Sequence, residues 1–190
     1  MQVPRGGPSA ISAEDLQRDT ISLMGASGER PPGSPELRAA AATLAQRFGQ
    51  MHLIPGFGRE WQADLGEGRA MVCGRRDGAG ERVVVVLALD PGAGAAEGAA
   101  PLAILVSLAK AWDTPVPPAR PVLLCGIFGA TETELYGLRP PVPLDGTEAL
   151  IQLGAFGGSE VREELRGGLG AVPVLRWTTD VEVVAGASED

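Results

Sequence analysis

Histidine and lysine are almost missing from this 190-residue chain: His52 is the one imidazole, and Lys110 is the one lysine among 16 basic residues. A Ser-His-Asp triad therefore has His52 as its single possible base. His52 sits just after a helical stretch and beside apolar Leu53 and Ile54, the setting of a surface or partly buried histidine without a role. Cysteine is limited to Cys73 and Cys125, each in an apolar, strand-like segment. Buried structural thiols are commoner than disulfides in such segments, so two thiols are expected. There is no Walker loop, dinucleotide fingerprint or Cys-x-x-Cys pair, and Gly92-Ala93-Gly94 by itself reads only as a flexible loop. Runs of basic residues are absent as well, and a net charge of -8 with a pI near 4.7 argues against nucleic acid or anionic membrane as the main partner. No apolar run approaches the ~20 residues that span a bilayer. Met1 to Ser12 lacks the apolar core of a secretion signal, so a soluble chain, cytoplasmic by default, is expected.

What is present is a globular composition, 44% hydrophobic, with 27 Gly and 16 Pro implying many loops. Length and pattern predict a flexible arm over 1–11, a single domain over 12–185 and a polar tail over 186–190. The chain is organised around residues 82 to 112. Val83 to Leu89 is apolar without alternation and rich in β-branched residues, as in a strand buried on both faces of a parallel sheet. A Gly/Ala loop carrying Glu97 follows, and Pro101 suits the first turn of a helix running to Trp112 with almost no polar face. Sites in open α/β sheets form just beyond the carboxyl ends of strands, which is where Asp90 and Glu97 fall.

Earlier in the chain, Ser12 with Asp15 makes a capping-box-like start to a helix ending at Gly25. Ser34 as N-cap and Pro35 at the first helical position open a second helix, Glu36 to Phe48. Glu60 to Leu65 and Arg69 to Arg75 flank Gly66-Glu67-Gly68 as a hairpin, so the sheet is expected to be mixed. Val122 to Phe128 is a second unbroken apolar run and should lie parallel to the first, completing a right-handed βαβ unit. Glu148 to Leu153 reads as a third strand and Ala171 to Thr178 as a fourth, with a short helix capped by Ser159 between them.

In order and spacing these segments resemble the co-catalytic zinc exopeptidases, the family of bacterial leucyl aminopeptidases and glutaminyl cyclases. The resemblance begins at Gly28-Glu-Arg-Pro-Pro-Gly-Ser-Pro35 and the helix after it, continues through Leu53 to Phe57, and passes through Val84 to Asp90, Gly98 to Ala111, Val122 to Gly137 and Ala149 to Gly157. It implies a three-layer α/β/α sandwich around a mixed, mostly parallel sheet. It also implies where zinc ligands and a general base would fall. In such enzymes the central strand ends in His-x-Asp, and the matching residues here are Ala88 and Asp90. The bridging aspartate matches Glu97, and the Glu-Glu pair of base and ligand matches Thr131 and Glu132. A further aspartate ligand falls on Gly154, and the last histidine ligand has no counterpart after His52.

The resemblance thus leaves Asp90, Glu97 and Glu132 as vestigial ligand-like positions, with Ala88, Thr131 and Gly154 as lost ones. No cofactor is expected, zinc being possible only if the domain is not degenerate. The leading expectation is a degenerate exopeptidase-like domain that binds or scaffolds another protein. Two alternatives are a divergent hydrolase using the three carboxylates with Mg²⁺ or Ca²⁺, and an active metallo-aminopeptidase. For a binding role the candidate surface is Leu138-Arg-Pro-Pro-Val-Pro-Leu144, where Leu138, Val142 and Leu144 can form a pre-ordered apolar segment.

Overall fold

A computed structural model of the chain describes residues 12–24, 29–92, 95–131, 134, 146–153 and 174–177. The expected arm and tail, Glu132, the loop Leu138 to Leu144, Gly154 and the helix capped by Ser159 lie outside the described residues. In chain order the elements are α1 (Ala13–Met24), α2 (Pro35–Gln50), β1 (Ile54–Pro55), β2 (Gln62–Gly66), β3 (Arg69–Arg76), β4 (Val83–Asp90), α3 (Ala95–Trp112), β5 (Val122–Phe128), β6 (Thr147–Leu153) and β7 (Val174–Trp177).

Local chemistry explains where the first two helices begin. The Ser12 hydroxyl accepts the Asp15 amide at 3.0 Å and donates to the Asp15 carboxylate at 2.7 Å, while the Ser34 hydroxyl accepts the Leu37 amide at 3.1 Å ahead of Pro35. The third helix departs from expectation. It starts at Ala95, so Pro101 lies inside it and Glu97 falls in its first turn rather than in a loop. The run Ala95-Ala96-Glu97-Gly98-Ala99-Ala100 holds good helix formers that extend the helix toward the strand. Pro101 can then be accommodated although its ring supplies no amide to the ladder.

Among the described residues the sheet has seven strands, in the order β1-β3-β5-β4-β6-β7 with β2 on the outer side of β3. Strands β5, β4, β6 and β7 run parallel, and β3 runs antiparallel to β5. The two unbroken apolar runs are neighbours as expected, in register from Val84 opposite Val122 to Asp90 opposite Phe128. Side chains alternate between two cores. Val72, Val86, Ala88, Leu124 and Leu153 join Leu37, Leu44 and Phe48 of α2 and Leu102, Leu105 and Val106 of α3 on one face. Met71, Val85, Leu87, Leu89, Leu123 and Ile127 form a second core on the other, where each is at most 5% exposed. A sheet covered on both faces is the arrangement of an α/β/α sandwich.

Close approach of helix to sheet depends on Gly126 in β5, where a Cβ would stand 2.5 Å from Leu44 Cδ2 and 2.9 Å from Leu102 Cδ2. The helical layer is also held by charge. Asp19 of α1, almost fully buried, lies 2.5 Å from the Lys110 ammonium of α3 and 3.3 Å from the Arg47 guanidinium of α2. Arg47 also donates to Ser22 at 2.8 Å, so one carboxylate gathers all three described helices.

Cys73 and Cys125 correct the thiol expectation: they form a disulfide between β3 and β5. The composition of their segments could not reveal that the antiparallel register sets the two residues directly opposite each other. No helix among the described residues is long and apolar enough to cross a membrane. Because Leu44 is fully buried between α2 and the sheet, Leu44→Ala should lower unfolding free energy by about 2–5 kcal/mol in urea denaturation, from lost transfer energy and the cavity left behind.

Candidate functional site

From β4 the chain crosses through α3 to β5 on one side, whereas β6 on its other side leads outward to β7. The direction of winding therefore reverses between β4 and β6, and ligands of open α/β sheets bind beyond the carboxyl ends of strands at such a point. Here that position is the end of β4, Ala88-Leu89-Asp90, with Leu153 beside Ala88 on β6 and Gly126 beside it on β5.

Asp90 is fully buried, and its surroundings are set by the segment ahead of α2. Arg30, itself 2% exposed, places Nη2 2.9 Å from Asp90 Oδ2. Its Nη1 donates to the Leu23 carbonyl at 2.6 Å, satisfying an acceptor in the last turn of α1. The backbone repeats the connection: the Arg30 amide donates to the Gly92 carbonyl at 2.8 Å, and the Gly92 amide donates to Asp90 Oδ1 at 3.0 Å. Gly92 has φ +78°, and a Cβ there would overlap the Arg30 carbonyl, so glycine is required both by conformation and by contact. Arg30, Asp90 and Gly92 thus close the end of the central strand.

The pull of Arg30 and of the Gly92 amide does not offset burial, which is the largest effect and raises the Asp90 carboxyl above its ordinary value. Ala88 is fully buried within the helical-face core and offers no donor atom. Glu97 is placed by its backbone in the first turn of α3.

At the end of β5 the chain takes up a motif that the sequence reading passed over. The Thr131 amide and hydroxyl both donate to Glu134 Oε2 at 2.8 Å, and the Glu134 amide donates back to the Thr131 hydroxyl at 3.3 Å. This is a capping box, and Thr-x-x-Glu over residues 131 to 134 is its sequence signature. The Thr131 bonds, with a smaller contribution from Arg69, hold the Glu134 carboxyl below its ordinary value. Arg69 at the start of β3 pairs with Glu134 at 2.6 Å, contacts Glu67 in the hairpin turn, and donates to the Gly129 carbonyl at 3.2 Å. The hydroxyl of Thr131, the residue that the resemblance matches to a general base, is therefore engaged by Glu134.

Among the described residues no group of three or more His, Cys, Asp or Glu is placed to hold a metal ion. Among the described residues Asp90 meets a cation, Arg30, while Glu132 lies outside them. His52 is exposed, 3.2 Å from Asp113, and lies beyond α2 rather than at the strand ends.

The architecture is shared with several solved structures. A zinc-dependent exopeptidase from Parabacteroides distasonis superposes with a TM-score of 0.57 at 17% identity, covering 80% of this chain and 64% of that one. A glutaminyl cyclase of Porphyromonas gingivalis gives 0.60 at 15% identity over 78% and 60% of the two chains. A leucine aminopeptidase precursor from Bacteroides thetaiotaomicron gives 0.55 at 15% identity over 80% and 65%. The chain spans less than two thirds of the length of each of these proteins. No family model and no curated protein sequence matches it. The fold is that of the zinc-dependent exopeptidases and glutaminyl cyclases, as the order of the sequence segments implied.

Replacing Arg30 tests the electrostatics of this site. The folded pKa of Asp90 is raised, so its titration favours the fold most below the ordinary carboxylate range, and that contribution is lost as pH rises through the raised value. Arg30→Met removes the countercharge and moves the folded value further up. The variant should lose about 3–5 kcal/mol of stability near pH 8, and distinctly less near pH 5, where protonation relieves the unpaired carboxylate. Urea titrations at both pH values measure the difference, and a loss independent of pH would refute the assignment.

Proposed function

We propose that this domain is a catalytically degenerate relative of the zinc exopeptidases and acts as a binding or scaffolding module for another protein. The observation that carries this reading is the buried Arg30–Asp90 ion pair, two residues beyond Ala88 on β4. Where the resemblance puts a zinc-binding imidazole and the aspartate that orients it, the chain has a methyl group and a carboxylate engaged by a guanidinium. Zinc takes imidazole, thiolate and carboxylate ligands, and a two-metal reaction needs both ions fixed. Ala88 supplies no donor, and the Thr131 hydroxyl is bonded to Glu134, so these residues do not fit a two-zinc centre. Partner binding follows from what remains, a rigid two-core scaffold whose surface is free to carry a different task.

Under this proposal the purified protein holds fewer than two equivalents of zinc after dialysis against the metal and hydrolyses neither aminoacyl anilides nor dipeptides. Two tightly held zinc ions with chelator-sensitive peptidase activity would overturn it in favour of an active metallo-aminopeptidase. Hydrolysis that depends on Mg²⁺ or Ca²⁺ would favour the divergent hydrolase using Asp90, Glu97 and Glu132.

The surface proposed for a partner is the segment of Leu138, Val142 and Leu144, on the strength of its apolar residues and three prolines. Serine at these three positions should abolish capture of the partner while the melting temperature stays unchanged. Capture at undiminished affinity by the folded variant would exclude the segment.

A further inference from the structure

The disulfide between Cys73 and Cys125 is set by the sheet rather than by a loop. The two residues are directly opposed on antiparallel β3 and β5, with Cα atoms 4.3 Å apart. The Cys73 amide donates to the Trp61 carbonyl and the Cys73 carbonyl accepts from the Gly56 amide, each at 2.9 Å, both on the β1 and β2 side of the strand. Amide and carbonyl of one strand residue point to the same side. Toward β5, therefore, this is the non-hydrogen-bonded pair of the ladder, the narrow kind whose Cα atoms lie ~4.5 Å apart.

Both cysteines are fully buried, in the second core with Met71, Leu123 and Ile127. Redox-sensing cysteines are accessible and activated as thiolates by neighbouring positive charge. Buried among apolar side chains, this pair has the opposite surroundings. The bond spans 52 residues of sequence, from β3 through β4 and α3 to β5, so it shortens the unfolded chain around its central βαβ unit.

We propose that Cys73–Cys125 is a permanent structural bond and that the domain therefore matures and works in an oxidising compartment, not in the reducing cytosol expected by default. Structural disulfides persist where thiols are not kept reduced. The bond forms by exchange with a disulfide-donating oxidant of the glutathione-disulfide class: two cysteine thiols become one S–S bond, and the oxidant leaves as two thiols carrying the two protons and two electrons. Once the sheet closes, attack on the bond requires β3 and β5 to open. Fold and bond thus protect each other.

The test is a thiol count on the protein taken from the cells that naturally produce it, with an alkylating agent present at lysis, followed by unfolding and mass measurement. The expected result is no adduct without prior reduction and two adducts after it; two adducts without reduction would overturn the proposal. A second measurement follows reduction of the purified, folded protein by dithiothreitol, with and without denaturing urea. Reduction should be on the order of a hundredfold slower in the fold, because exchange must wait for opening of a core seam. Once reduced, the protein should melt roughly 5–15 °C lower. Equal rates in the two conditions would show an accessible bond and defeat the structural assignment.

Discussion

A carboxylate at the end of a strand buried on both faces has no water to hold its charge, and this constraint organises the middle of the molecule. Removing an ion from water costs several kcal/mol, which is offset only by a countercharge of good geometry and by hydrogen bonds to the remaining lone pairs. Asp90 has the Arg30 guanidinium 2.9 Å from Oδ2 and the Gly92 amide donating to Oδ1. Meeting the requirement fixes more than one side chain. It draws the chain ahead of α2 across the end of β4, gives the last turn of α1 a donor for the Leu23 carbonyl, and forces glycine at position 92. The carboxylate that the resemblance associates with a metal site is thereby part of the framework joining three segments.

The same logic recurs in the helical layer. Asp19 is nearly as buried as Asp90 and is met by Lys110 and Arg47, so the one lysine of the chain is spent on holding helices together. Charge buried in this way is weak evidence for net stability, since apolar packing of the same volume can do as well. It is better evidence for uniqueness of arrangement: a helix that slides by one turn exposes its apolar stripe and also leaves a carboxylate unpaired.

Most of the architecture was legible in the sequence because it rests on short-range signals. The unbroken apolar runs at 83–89 and 122–128, the Ser34-Pro35 start of α2 and the Gly66-Glu67-Gly68 hairpin each state their structure within a few residues. Pro101 is a strong local signal for a later start of α3, yet the helix begins in the alanine-rich run before it. At the candidate site the sequence shows residue types but not their partners. Ala88 and Thr131 can be seen without coordinates to differ from the ligand and base that the resemblance implies, but what surrounds the end of β4 depends on distant partners. Arg30 lies 60 positions before Asp90, and Cys73 lies 52 before Cys125, so neither pairing has a local pattern. Thr131 and Glu134 differ: three positions apart, they carried the capping-box pattern in plain view.

Under the proposed reading, positions released from chemistry are free to serve the scaffold. Sites built for reaction keep polar groups exposed, desolvated or strained at a cost in stability, and a fold released from that duty can return those positions to packing. Ala88 belongs to the core between sheet and helices, where an imidazole would need a partner for each ring nitrogen. The Thr131 hydroxyl is bonded to the Glu134 carboxylate. Gly126, next to Ala88 in the sheet, lets Leu44 and Leu102 close over the same region. Ala88 and Gly126 thus lie in the core that joins the sheet to α2 and α3. For the partner binding proposed above, the surface is most economically sought away from that junction, on loops that a core does not need.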